Sequence, residues 1–140
     1  MSAENFERVL AEQGELLLPI SGVSMLPLLE QDRDAVHLVP AAVRLQRGDM
    51  ALFRRANGEL VLHRVVRVRP DGYFIIGDNN PQMEFVKNEQ IRAVADGYCK
   101  GETYVPCTDE TYRAYARAHS GYFLRAMRWR AMQMLSRLRK

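Results

Sequence analysis

The sequence contains few cysteines, few histidines and no long apolar run. Its two cysteines, Cys99 and Cys107, have no histidine or further cysteine beside them at the spacing of a zinc site. We therefore expect two free thiols, no metal site and no cofactor. A chain of 140 residues with 47% hydrophobic residues can bury enough surface to fold without disulfide bonds or a metal ion.

Long apolar segments are also missing. The longest stretch without a charged residue extends from Leu16 to Leu29 and contains two prolines, whereas a membrane-spanning helix needs about 20 apolar residues. Residues 1–15 contain four glutamates and lack the basic-then-apolar pattern of a secretory signal peptide. We therefore expect neither a transmembrane helix nor a signal peptide, and we expect a cytoplasmic protein.

Charge is distributed unevenly along the chain, although the net charge is only +3. Residues 112–140 contain eight basic residues and no acidic one. Residues 1–111 contain the other 12 of the 20 basic residues and all 17 acidic residues. This pattern predicts an acidic body and a basic tail, and it indicates that the tail has a role or a partner of its own.

Strand and turn signals fill the middle of the chain. The pair Asn57-Gly58 predicts a hairpin between Met50–Arg55 and Leu60–Val68. The pair Asp71-Gly72 predicts a second hairpin, which leads into Tyr73–Ile76. Further strands are expected at Ala35–Val39, Ile91–Tyr98 and Thr103–Val105. Short strands without intervening helices predict a mainly β, antiparallel fold.

Helices are expected at both ends of the chain. Phe6, Val9 and Leu10 have helical spacing, and Gly14 is expected to end this first helix. Near the C-terminus, Thr108 or Asp109 is a candidate cap for a helix that is interrupted around Ser120-Gly121. A second helix would align Phe123, Leu124, Met127, Ala131, Met134, Leu135 and Leu138 on one face. We predict a β-domain over residues 1–107 and a basic amphipathic helical tail over residues 108–140.

Three segments of the β-region carry side chains that are capable of chemistry. Ser24 lies in a turn between an apolar strand and a proline, where a hydroxyl can point outward. His63 lies in the longest predicted strand and can exchange a proton near neutral pH. Asp78 follows Gly77 at the end of a strand. Taken singly, each also has a structural explanation: loop hydrogen bonds, a half-buried sheet position and an ordinary turn. His37 and His119 are expected to be structural.

The order of these segments carries more information than any one of them. Four motifs occur between Leu18 and Tyr98: Ser24-Met25-Leu26-Pro27, Arg47-Gly48-Asp49, His63-Arg64-Val65 and Gly77-Asp78-Asn79. In this order they resemble the signal peptidase I and LexA-like superfamily of serine peptidases. Bacterial signal peptidases usually have a lysine base before the arginine. His63 stands in that place, as in the archaeal and endoplasmic-reticulum-type enzymes.

The resemblance implies roles for individual residues. Ser24 would be the nucleophile and His63 the general base. Asp78 is the first choice for the acid that orients His63, and Glu84 is the second. The oxyanion hole would use the backbone N–H of Ser24. Ser21, Gly22 and Met25 are expected to bind the substrate or the oxyanion. Many signal peptidases have a serine two residues before the nucleophile, and Gly22 occupies that position here. The identity of the second oxyanion donor is therefore left open. Asp49 is expected to be structural.

The resemblance also implies a fold and an activity. The fold would be a coiled antiparallel β-structure, and the substrate would add to it as an extended strand. We expect a serine endopeptidase that cleaves an extended peptide or leader segment of a dedicated substrate. Signal peptidases carry a membrane anchor, and no transmembrane helix is expected in this sequence. Secretory signal-peptide cleavage is therefore not expected. A LexA-like DNA-binding domain is not expected before Ser24 either. The alternative is a catalytically silent module that binds a peptide or protein partner.

The basic tail has three candidate roles. It can pack one apolar face on the β-body as a solvated helix pair. It can also contact a membrane surface peripherally through residues 112–140, since Phe123 and Trp129 lie beside arginines as in interfacial helices. Nucleic-acid binding is not expected, because no recognised nucleic-acid-binding module surrounds the arginines and tyrosines.

Overall fold

Alternating apolar residues and tight turns produce a meandering antiparallel sheet in this chain. The computed structural model describes residues 3–139, and the side chains of residues 5–139. The elements are α1 (Ala3–Gln13), β1 (Leu16–Pro19), β2 (Ala35–Val39), β3 (Met50–Arg54), β4 (Leu60–Arg69), β5 (Gly72–Ile76), β6 (Met83–Lys87), a short 3-10 turn (Asn88–Gln90), β7 (Ile91–Lys100), β8 (Thr103–Pro106), α2 (Glu110–His119) and α3 (Tyr122–Leu138).

The eight strands described form one antiparallel sheet in the order β1-β2-β7-β3-β4-β5-β6, and β8 pairs with β7. The predicted antiparallel, mainly β class is therefore confirmed. Both predicted hairpins are present, and Gly58 adopts the left-handed conformation (φ 92°) that the first turn requires. The pairing places His63 opposite Ala51 and Glu84 opposite Ile75. His63 and Glu84 thus lie on β4 and β6, on either side of β5.

Strand β6 was missed by the sequence analysis. It contains Glu84, and it pairs with β5 over five residues, from Gly72 opposite Lys87 to Ile76 opposite Met83. Its sequence, Met-Glu-Phe-Val-Lys, is only five residues long and follows the turn residues Asn79, Asn80 and Pro81. Strands of this length are hard to separate from loops by periodicity alone. The strand gives Glu84 a fixed position in the sheet.

The largest hydrophobic cluster joins both ends of the chain to the sheet. Phe6 of α1, Leu52 of β3, Tyr98 of β7 and Tyr112 of α2 are all buried in it. Burial of each large apolar side chain contributes about 1.5–3 kcal/mol. The first part of the basic tail, α2, therefore shares the main core with the sheet.

A buried ion pair connects β4, the β5–β6 loop and α2. Arg64 is completely buried and donates two hydrogen bonds of 2.8 Å to the two carboxylate oxygens of Asp78. Arg64 also donates to the carbonyl of Gly48 and to the Tyr112 hydroxyl, at 2.7 and 3.0 Å. The Tyr115 hydroxyl donates to Asp78 Oδ2 at 2.9 Å. Because each buried polar atom has a partner, the network fixes the start of the β5–β6 loop.

Helix α3 packs through a different face from the one the sequence analysis aligned. Tyr122, Ala126 and Trp129 contact a cluster of side chains around Ile76 and Met83. The predicted apolar face is exposed instead, and its large members Phe123, Leu124, Met127, Met134, Leu135 and Leu138 have exposed fractions of 53–79%. Across residues 3–139, none of the helices has both the length and the apolarity required to cross a bilayer.

Candidate active site

The turn after β1 positions Ser24. Gly22 adopts a left-handed conformation (φ 82°), and its N–H donates to the side-chain oxygen of Gln31 at 2.9 Å. Met25 is buried in the main core and anchors the turn from the other side. Ser24 itself is half-buried, whereas Ser21 and Gly22 are exposed. The turn thus holds Ser24 at the boundary between the core and solvent.

The middle of β4 positions His63. Its side chain is only 3% exposed, and its ring meets that of Phe53 edge-on, with centroids 6.0 Å apart. His63 Nδ1 lies 3.7 Å from Glu84 Oε1, which is an ion-pair distance but too long for a hydrogen bond. Among the residues that the structure describes, Nδ1 has no hydrogen-bond partner. One nitrogen of the ring therefore faces a carboxylate.

The other nitrogen of His63, Nε2, lies beside Gly77 and near the main chain of Ser24. A β-carbon placed on Gly77 would lie 3.1 Å from His63 Nε2 and 2.8 Å from the carbonyl oxygen of Ser24. His63 Nε2 and the carbonyl oxygen of Ser24 are therefore separated by no more than the sum of these two distances. The N–H of Asn79 donates to the same Ser24 carbonyl at 2.9 Å, and its side chain donates to the carbonyl of Val23 at 3.2 Å. The β5–β6 loop thus brings the serine turn and the histidine together, and only glycine fits at its first position.

Burial controls the protonation of His63. Removal from water lowers the pKa of His63 from 6.5 to about 4, because the charged imidazolium loses its hydration. The negative charge of Glu84 opposes this change, and the positive charge of Arg55 adds to it. The ring is therefore neutral at pH 7, with a lone pair available on one nitrogen.

Glu84 is held in place by an arginine that the sequence analysis did not single out. Arg55 follows β3 and donates to both carboxylate oxygens of Glu84, through Nη2 at 2.7 Å and Nε at 3.2 Å. Arg55 also bonds Glu59 across the hairpin at 2.9 Å. No sequence motif marks Arg55; its position at the end of a strand in the hairpin is the only signal.

Asp78, the first choice for the orienting acid, faces a different partner. Both of its carboxylate oxygens accept hydrogen bonds from Arg64. Among the two candidate acids, Glu84 is the one whose oxygen lies 3.7 Å from a ring nitrogen of His63. The structure therefore places Asp78 in the network beneath the loop and Glu84 beside the histidine.

A groove of about 900 Å³ runs past Ser24 and His63. Its walls include the segment from Leu18 to Met25, residues Leu60 to His63 of β4, and Asn79 and Asn80 of the β5–β6 loop. Apolar side chains predominate in the lining, among them Leu52. Strand β1, which leads into the groove, lies at one end of the strand order. The groove can therefore accept an extended chain beside a sheet edge.

Helix α3 holds the β5–β6 loop from outside through Arg125. Its guanidinium donates to the carbonyls of Gly77 at 2.7 Å, Asn80 at 3.1 Å and Asp78 at 3.3 Å, and to that of His119 at 3.0 Å. Arg125 was missed because nothing in the sequence separates it from the other arginines of the tail. Its contacts make α3 part of the support of the site.

The remaining candidates lie elsewhere. His37 contacts Asp96 and lies 3.5 Å from Glu15, and His119 stacks on Tyr115. Cys99 and Cys107 are free thiols. The part of the chain described, residues 3–139, contains no group of three or more His, Cys, Asp or Glu side chains that could hold a metal ion.

Comparison of the chain with protein-family models, with curated proteins and with solved structures returned no match. A functional assignment therefore rests on the residues and geometry of the site.

Proposed function

We propose that this chain is a serine endopeptidase of the signal peptidase I and LexA-like type, with Ser24 as nucleophile and His63 as general base. One observation supports this assignment above the others. His63 Nε2 and the carbonyl oxygen of Ser24 both lie close to Gly77, both residues line the groove, and the opposite ring nitrogen of His63 faces Glu84. A nucleophile, a base and an acid in this order are the arrangement that hydrolysis of an amide by serine requires.

The protonation of His63 suits this chemistry. A neutral ring with its proton on Nδ1 has its lone pair on Nε2, toward Ser24. In the first step Ser24 Oγ attacks the peptide carbonyl carbon while Nε2 takes the hydroxyl proton. Nε2 then gives that proton to the leaving amine, and the C–N bond breaks. Water, activated by the same nitrogen, releases the acyl group from Ser24.

Glu84 is the orienting acid in this proposal. Its carboxylate faces Nδ1, so a closure of the 3.7 Å gap by a small ring or side-chain rotation makes the hydrogen bond. That bond fixes the tautomer and stabilises the imidazolium that forms during the reaction. Asp78 would not serve, since Arg64 occupies both of its oxygens.

The groove favours an extended peptide as substrate. Such a peptide can pair its main chain with the exposed side of β1 and place alternate side chains in the groove. Leu18, Leu52, Leu60 and Leu62 line the groove, so apolar substrate side chains are expected there. The backbone N–H of Ser24 would donate to the oxyanion.

A catalytically silent peptide-binding module is the second candidate. One observation favours it: within residues 3–139 His63 Nδ1 has no hydrogen-bond partner, and Glu84 bonds Arg55 instead. In this case the groove would capture a peptide without cutting it.

Digestion of a peptide library by the purified protein separates the two candidates. The peptidase proposal requires cleavage by the wild type, and loss of at least about a hundredfold in rate in both Ser24→Ala and His63→Gln. Ser136→Ala, the same chemical change at an exposed serine of α3, serves as the matched control and should cleave normally. Circular dichroism confirms that each variant is folded. Peptide binding without any product in the wild type would instead support the silent module.

A further inference from the structure

Helix α3 presents an apolar surface to solvent. Seven residues form this surface, which we call the outer face: Phe123, Leu124, Met127, Ala131, Met134, Leu135 and Leu138. Their spacings of three, four and seven residues place them along one side of the helix. The six large side chains among them are 53–79% exposed. An amphipathic helix normally buries such a face, but in the part of the chain that the structure describes no other element covers the outer face.

Arginines border the outer face on both sides. Arg130 and Arg137 are seven residues apart and lie along one edge, and Arg128 and Arg139 are eleven residues apart and lie along the other. All four are exposed. An arginine can extend its charged end away from an apolar surface while its carbon stem stays in contact with it. An apolar strip with arginines along both edges is complementary to a flat surface that has negative charges in its outer layer and an apolar interior beneath them.

The position of α3 on the body leaves this face accessible. The helix contacts the sheet through Tyr122, Ala126 and Trp129, on the side opposite the outer face. Residues 131–139 are all exposed. No acidic residue occurs in residues 112–139, so α3 itself carries no negative charge that would oppose approach to a negative surface.

From these observations we infer that α3 binds the surface of an anionic lipid bilayer, lying in its plane with the outer face among the acyl chains and the arginines at the phosphates. Basic edges on both sides of the apolar strip favour a flat bilayer over a protein groove, which would need acidic residues along both of its walls. The docking does not depend on peptidase activity. It leaves the contacts of Arg125 with the loop in place, because Arg125 lies on the inner side of the helix.

Co-sedimentation with vesicles tests the inference on the full-length chain. Wild type is expected to sediment with vesicles that contain phosphatidylglycerol and to stay in solution with pure phosphatidylcholine vesicles. Leu124→Ser combined with Leu135→Ser should reduce binding at least about tenfold, because two apolar anchors are lost. Arg130→Gln combined with Arg137→Gln should weaken binding and its dependence on salt. Gln133→Ala combined with Ser136→Ala changes exposed residues away from the outer face and is the matched control.

Three results would overturn the inference. They are absence of wild-type binding to anionic vesicles, equal binding by the leucine double variant, and a wild-type oligomer in solution that becomes monomeric in that variant without any vesicle binding. The last result would assign the outer face to a second copy of the chain. Circular dichroism of each variant distinguishes loss of binding from loss of the helix, since all substituted residues are exposed.

Discussion

At the residue scale, His63 acquires its properties from neighbours that are distant in sequence. Its position in a central strand and its place before Arg64 are visible in the sequence. Which carboxylate faces its ring was not predictable, because the choice between Asp78 and Glu84 depends on which carboxylate Arg64 takes. The structure shows that Arg64 is buried and takes Asp78. A buried arginine requires a paired carboxylate. Asp78 serves as that partner, so its oxygens bond Arg64 and not His63.

Substitution of the two acids should give opposite phenotypes. Asp78→Asn leaves the buried Arg64 without a charged partner, so we expect a loss of about 3–5 kcal/mol in the free energy of unfolding. Glu84→Gln affects a pair that is one-third exposed, so its cost in stability should be below about 1 kcal/mol. Peptide cleavage by Glu84→Gln should fall at least about a hundredfold. Urea unfolding and cleavage rates measure the two effects.

The opposite assignment has a clear signature. If Asp78→Asn stays fully stable but loses cleavage, while Glu84→Gln cleaves normally, then Asp78 is the orienting acid. Asn79→Ala is not a suitable control, because Asn79 bonds the serine turn. Glu110→Gln, an exposed acid at the start of α2, provides the matched control.

The titration of His63 is a second prediction at this scale. Burial lowers the pKa of His63 to about 4, so the ring binds a proton only in acid. NMR titration of the ring should therefore show a midpoint near pH 4. Because Glu84 raises the pKa of the ring and Arg55 lowers it, Glu84→Gln should move the midpoint further into acid.

The same titration should lower the free energy of unfolding as the pH falls. The folded-state pKa is below the unfolded value of 6.5, so the unfolded chain binds more protons between about pH 6.5 and pH 4. The wild type should thus lose stability relative to His63→Gln as the pH falls through this window, by up to about 3 kcal/mol. A midpoint near pH 6.5 in the titration, or an unchanged difference between the two proteins, would contradict the buried, neutral ring.

At the scale of elements, local turn chemistry was enough to predict both hairpins. Asn57-Gly58 and Asp71-Gly72 each specify a tight turn through a few residues, and the structure has turns at both. Strand β6 and the packing face of α3 depend on contacts between distant segments. Ala126 brings α3 close to the sheet, while the larger apolar residues of α3 stay outside. A periodic pattern therefore identifies an apolar face without identifying what covers it.

Arg125 joins helix α3 to the loop that borders the candidate site. It joins α3 to three carbonyls of the β5–β6 loop, and this loop bonds the Ser24 carbonyl through Asn79. We predict that Arg125→Met lowers kcat about tenfold to a hundredfold with a smaller change in KM, because the loop is displaced relative to the serine. Hydrogen exchange at the Asn79 amide should become faster in the same variant.

Two comparisons make this prediction specific. Arg125→Lys retains a donor and should recover part of both properties. Arg130→Met is the same change at an exposed arginine of α3 and should behave as wild type in peptide cleavage. Wild-type exchange at Asn79 together with full activity in Arg125→Met would show that Arg125 does not position the loop.

At the scale of the whole molecule, the two C-terminal helices have different roles. Tyr112 and Ala116 of α2 lie in the main core, and the Tyr112 hydroxyl accepts from Arg64. Helix α3 contacts a smaller cluster and supports the loop. The uneven charge in the sequence predicted a distinct tail; it did not distinguish α2 from α3, because both are basic.

Truncation at two points should separate these roles. A chain that ends after Thr108 lacks α2, so we expect a loss of more than about 3 kcal/mol in the free energy of unfolding. A chain that ends after Gly121 keeps α2 and should stay folded, with reduced peptide cleavage because Arg125 is lost. Urea unfolding followed by far-UV circular dichroism measures stability, since the single tryptophan, Trp129, is absent from both chains. Equal stability of the two chains would contradict a core role for α2.

The peptidase proposal requires that Ser24 and His63 together cut a peptide bond. The most direct measurement is a comparison of protein N-termini in cells that express wild type, Ser24→Ala or His63→Gln at equal levels. We expect at least one new N-terminus that is present with wild type and absent with both variants. An identical set of N-termini in all three cultures, with each protein folded, would contradict it.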